Sequence, residues 1–77
     1  MITYRFNDTG EVVTVASPEE LVTFMNKTAK FPSESPRQYM LDYALRSVQM
    51  RNIDIRATDF EAFVEDLIYF GDISKLD

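Results

Sequence analysis

The stretch "MRNIDIRATDFEAF", residues 50–63, decides how this chain folds. A helical pattern runs into it and another runs out of it. It is either the turn of a DNA-reading helix-turn-helix or the joint of a small packed domain. A helix-turn-helix joins its helices through a turn of about three or four residues, often with Gly. Residues 51–57 make a longer joint, without Gly, in which Ile53 and Ile55 alternate with Asp54 and Arg56. That alternation predicts a short strand at 53–56, or an extended linker that buries two isoleucines. In a helix-turn-helix the second helix reads the bases. Here that helix would turn Glu61, Glu65 and Asp66 toward phosphates, and duplex DNA bears one negative charge per about 1.7 Å. The joint is therefore architectural, and no DNA readout by the third helix is expected.

Downstream, Phe60, Phe63, Val64, Leu67 and Ile68 recur at helical spacing, which predicts a helix over 59–70 with Gly71 just past its end. Its start reads as a capping box, Thr58-Asp-Phe-Glu61. Two similar boxes lie upstream, Ser17-Pro-Glu-Glu20 and Ser35-Pro-Arg-Gln38, both with Pro at the first helical position. They predict helices over 18–29 and 36–50. The first is amphipathic, with Leu21, Val22, Phe24, Met25 and Ala29 on one side. The second confines its polar residues, Gln38, Asp42, Arg46 and Gln49, to an arc of roughly 80° at 100° per residue. So wide an apolar arc predicts burial on more than one side, and a central place in the fold.

The first fifteen residues alternate. Ile2, Tyr4 and Phe6 share a face with Val13 and Val15, and Asn7-Asp-Thr-Gly10 is a turn between two runs. This predicts a β-hairpin. A lone hairpin is marginal in water, so helices must cover one face. The expected architecture is one α+β domain over 1–77, in the order ββαα(β)α: a hairpin packed by three helices, a short third strand at 53–56, and a loosely held tail at 72–77. The expected core holds Ile2, Tyr4, Phe6, Val13, Val15, Leu21, Phe24, Met25, Met40, Leu41, Ala44, Val48, Ile53, Ile55, Phe60, Phe63, Val64 and Leu67.

Composition narrows the function. The chain carries no Cys and no His, and only Gly10 and Gly71 as glycines. Zinc sites of the usual kind need Cys or His. Phosphate-cradling loops need more glycine. General-base catalysis near neutral pH most often uses His. Glu61, Glu65 and Asp66 lie close on one helix, but they lack the calcium-loop pattern and read as a solvated face. No cofactor, no metal and no catalytic residue is expected. The opening MITYRFNDTG has no apolar leader region. No apolar run approaches the ~20 residues of a membrane span. A soluble cytoplasmic protein without a membrane partner is the default expectation.

Net charge is −5, and residues 58–77 carry it: Lys75 stands against six acidic residues. Such a surface repels phosphates and favours a basic partner. Tyr69, one turn beyond Glu65, adds an aromatic anchor of the kind found at binding hot spots. The expected function is therefore non-catalytic binding of another protein with a basic surface, through Glu61, Glu65, Asp66 and Tyr69. Tyr39, Tyr43 and Met50, at the edge of the second helix's apolar arc, form a secondary interface candidate. The alternatives are an acidic mimic that blocks a nucleic-acid-binding protein, and a self-associating homo-oligomeric subunit. Nucleic-acid contact through Arg5, Lys27, Lys30 and Arg37 is a weaker expectation, because four scattered bases make a poor footprint on an acidic chain.

Overall fold

The N-terminal alternation folds as the hairpin it predicts. The computed structural model of the protein describes residues 1–76. Strands β1 (Ile2–Phe6) and β2 (Val12–Val15) pair antiparallel, with Ile2 opposite Val15 and Tyr4 opposite Val13. Gly10 closes the connection at φ +80°, a conformation open to glycine at little cost. Its amide donates to the Phe6 carbonyl at 2.6 Å. Tyr4 and Val15 are buried on the inner face, while Arg5, Val12 and Thr14 remain exposed on the other.

Three helices follow: α1 (Pro18–Thr28), α2 (Pro36–Arg51) and α3 (Phe60–Tyr69). Ser17 and Ser35 cap the first two, each hydroxyl accepting the amide three residues on, from Glu20 at 3.2 Å and Gln38 at 3.1 Å. The third helix starts one residue later than the box Thr58-Asp-Phe-Glu61 predicts. Asp59 is the cap and accepts the Ala62 amide at 2.7 Å. A carboxylate outcompetes a threonine hydroxyl at a cap, and it also faces the positive end of the helix dipole. At the other end, Gly71 takes φ +83°. The Asp72 amide donates to the Leu67 carbonyl and the Gly71 amide to that of Ile68. That pair of bonds is a Schellman motif, and it sends the chain back toward the sheet.

The third strand is not at 53–56. It is β3 (Ile73–Lys75), which pairs antiparallel with the free side of β1 and gives the sheet order β2-β1-β3. Residues 53–56 run extended, as their alternation requires: Ile55 is buried, Ile53 half-buried, and Asp54 and Arg56 point out. Among the described residues they have no strand neighbour, and the Arg56 amide donates to the Asp66 carboxylate instead. The tail expected to be loose is likewise fastened. Ile73 is fully enclosed, the Leu76 amide bonds the Thr3 carbonyl, and the Asn7 amide bonds that of Asp72. Asp77 lies outside the described residues.

Helices α1 and α3 cover the sheet, and α2 lies outside them, packed on both. The core is the layer between, centred on Phe63, Leu21, Met40 and Leu67. Val22, Tyr39, Ala62 and Ile73 join it, beyond the expected set. The central position expected of α2 is not observed. Leu41, Leu45 and Val48 face solvent, at 45%, 57% and 47% exposure. Domains of this size are built as two or so layers. With one sheet face covered by two helices, the third contacts them on a single side only.

Candidate functional site

The outer face of α3 is the surface that the charge distribution singles out. Glu61, Glu65 and Tyr69 lie at i, i+4 and i+8 and are all exposed. Tyr69 is 81% exposed and packs edge-on against Phe70, with ring centroids 5.0 Å apart. Phe70 is the residue that sequence reasoning missed here. It ends α3, outside the periodic pattern, and its position follows from the Schellman turn.

Asp66 does not share in this face. Arg56 reaches it with Nη2 at 2.8 Å and Nε at about 3.1–3.2 Å, besides the backbone bond. These bonds hold the Asp66 carboxyl below its ordinary range. Arg56 touches Glu65 only at 3.5 Å, and the Glu65 side chain stays 70% exposed. The acidic face therefore offers two open carboxylates rather than three. Among the described residues no cluster of three or more carboxylates is arranged to hold an ion.

The shelf of Tyr39, Tyr43 and Met50 does not form. Tyr39 is buried in the core, and Tyr43 is half-buried with its ring edge-on to Phe63 at 5.5 Å. Only Met50 is open. The side of α2 that carries the two tyrosines is its inner side, where Ser47 is also buried, its hydroxyl donating to the Tyr43 carbonyl at 3.0 Å. The four scattered bases occupy separate places: Arg5 on β1, Lys27 in α1, Lys30 just after it and Arg37 in the first turn of α2.

Behind the tyrosines lies an arrangement that no local sequence pattern signals. A cleft of about 690 Å³ opens between the hairpin turn, α1, α2 and the α3–β3 turn. Phe6, Phe24, Met25, Tyr39 and Tyr43 form its apolar wall. At one side Asp72 gathers three bonds. It accepts the Tyr43 hydroxyl at 2.8 Å, and Arg51 grips it bidentately at 2.9 and 2.7 Å. Burial alone would raise the Asp72 carboxyl. The guanidinium and the phenol outweigh it and hold the group below its ordinary range. Burial, with the Asp72 hydrogen bond added, pushes the Tyr43 phenol well above its ordinary value. The phenol is a neutral donor, and the carboxylate accepts three of the roughly four hydrogen bonds that its oxygens can take. Chemically the trio is a clamp that ties α2 to the end of α3.

Fold and surface together define a small antiparallel α+β domain with an acidic, aromatic helix face. No protein-family model matches the chain, no curated protein matches it, and no solved structure matches it. No helix among the described residues is long and apolar enough to cross a membrane.

Proposed function

We propose that this domain is a non-catalytic protein-interaction module that binds a basic partner through the outer face of α3. The observation that carries the reading is Tyr69, which stands 81% exposed on Phe70 between an acidic helix face and solvent. Tyr69, open to solvent and resting edge-on against Phe70, supplies the large rigid contact area that hot spots use. Glu61 and Glu65 add complementarity to Lys or Arg, which acts mainly on association rate and specificity. The proposed setting is the cytoplasm, since a chain without cysteine needs no oxidising compartment to fold. The mimic reading ranks lower, because a mimic needs a dense array of open carboxylates and Asp66 is committed to Arg56.

Salt tests this reading. Exposed charges are screened within about 8 Å at physiological ionic strength, and within about 3 Å at 1 M. The partner's association rate is expected to fall several-fold as salt is raised, with a residual affinity carried by the aromatic pair. Affinity and rate that hold constant across that range would exclude the acidic face as the contact.

One observation supports a second reading. Leu41, Leu45 and Val48 line the outer side of α2 at i, i+4 and i+7, an apolar stripe with no covering element among the described residues. A second copy set antiparallel would place Leu45 near Leu45 and Leu41 near Val48, a self-complementary contact. In that case Leu45→Glu lowers the apparent mass at high concentration and leaves the monomer's stability within about 0.5 kcal/mol. A monomeric mass for the unsubstituted chain at millimolar concentration would remove this reading.

A further inference from the structure

The cleft behind the hairpin turn has a composition that selects a ligand. Its volume of about 690 Å³ lies within the ~300–1,000 Å³ of small-molecule sites. Phe6 and Phe24 stack in its wall, centroids 6.0 Å apart, and Tyr39 continues the aromatic surface. Its ionisable lining is unbalanced. Asp8, Glu11 and Asp72 are among its lining residues, and Arg51 is the one cationic residue of the lining among the described residues. Arg51 and Asp72 neutralise each other in their bidentate pair. Asp8 and Glu11 take part in no ion pair among the described residues, so the cleft keeps two uncompensated carboxylates beside an aromatic wall. Aromatic faces attract cations, and a carboxylate at the rim supplies the counter-charge. An anion would meet the repulsion of the open carboxylates, and a neutral apolar ligand would gain nothing from them.

We infer that this cleft binds an organic cation, an ammonium or guanidinium carried on an apolar body, with the body against Phe6, Phe24 and Tyr39 and the charge held by Asp8 and Glu11. The same chemistry is offered by a free amine and by a Lys or Arg side chain presented by a partner protein. This site is separate from the α3 face and does not depend on it.

Amide NMR on the full chain tests the inference. The probes are phenethylamine, phenylpropionate and phenethyl alcohol, alike in ring and length but cationic, anionic and neutral, together with a blocked arginine (N-acetyl-arginine amide). Phenethylamine is expected to shift the amides of residues 8–11 and 71–73 saturably. Asp8→Asn with Glu11→Gln is expected to weaken it about fivefold, the scale of an exposed ion pair. Glu11→Gln alone, at an exposed position past the turn, gives a smaller loss and keeps the test decisive if Asp8→Asn disturbs the hairpin. The Glu65→Lys/Tyr69→Ala chain is expected to bind phenethylamine unchanged, so failure at either surface is read separately. Tighter binding of phenethylamine assigns the site to a free amine, and tighter binding of the blocked arginine assigns it to a partner's side chain. The inference is overturned if neither cation shifts these amides saturably, if phenylpropionate or the alcohol binds as well, or if the charge-neutral variants bind like the unsubstituted chain.

Discussion

Phe63→Ala is expected to lower the melting temperature of the domain further than any other substitution described here. Phe63 is fully buried at the centre of the core, in α3 between the sheet and the inner side of α2, and its ring meets that of Tyr43 edge-on at 5.5 Å. Truncating a buried Phe costs about 3–5 kcal/mol, from lost transfer energy and from the cavity left behind. A chain of this length has a total stability of roughly 4–12 kcal/mol. Each kcal/mol lowers Tm by about 4–8 °C in a domain of this size, so the expected drop is about 12–40 °C. Thermal unfolding followed by far-UV circular dichroism measures it. A drop under about 5 °C would mean that α3 is not the core helix described here.

The second large effect concerns the clamp. Asp72→Ala is expected to cost about 2 kcal/mol at pH 7, from a half-buried phenol left without its acceptor and a lost charge-assisted pair. The figure is held down because the Arg51 side chain is 39% exposed and water takes over much of its solvation. Asp72→Asn preserves the shape and is expected to cost about half as much. The pH dependence separates clamp from packing. Burial opposes the ionised Asp72, but Arg51 and Tyr43 outweigh it, so the folded carboxyl lies below its unfolded value. Stability from such a group is fully present above the unfolded value of about 3.9 and is lost as pH falls through the folded one. Urea midpoints of the wild type and Asp72→Asn should therefore differ at pH 7 and converge as pH falls from the unfolded carboxyl value through the lower folded one. A difference of the same size at both ends would show that the ion pair contributes nothing and that shape alone matters.

The parts of the fold legible from sequence are those with local causes. Ser17-Pro18 and Ser35-Pro36 announce their helices because cap and first turn lie within four residues. Gly10 and Gly71 mark the two places where the backbone takes positive φ with glycine. The misses share a non-local cause. Ile73-Ser74-Lys75 is too short to show alternation, and it becomes a strand only because the turn after α3 delivers it to β1. The orientation of α2 is set by Tyr39 and Tyr43, whose rings and hydroxyl find partners inside, so Leu41, Leu45 and Val48 are left outside. Hydrophobicity alone ranks those residues the other way. At the candidate site, Glu61, Glu65 and Tyr69 are where helical spacing puts them. Asp66 was lost to Arg56, ten residues away along the chain, and the Arg51–Asp72 pair spans twenty-one. No window of sequence contains either pair as a pattern.

The most direct test of the central claim compares captured proteins for the wild type and for Glu65→Lys/Tyr69→Ala, from the lysate of the source cell, identified by mass spectrometry. Both substitutions are at exposed positions, so the double variant should stay folded, weaker by about 1 kcal/mol from the lost Tyr69–Phe70 contact and from a lysine placed beside Arg56. The predicted result is a partner of basic surface held by the wild type, and lost with the double variant although it remains folded. The same set of proteins captured by both folded chains would contradict the assignment of α3 as the binding face.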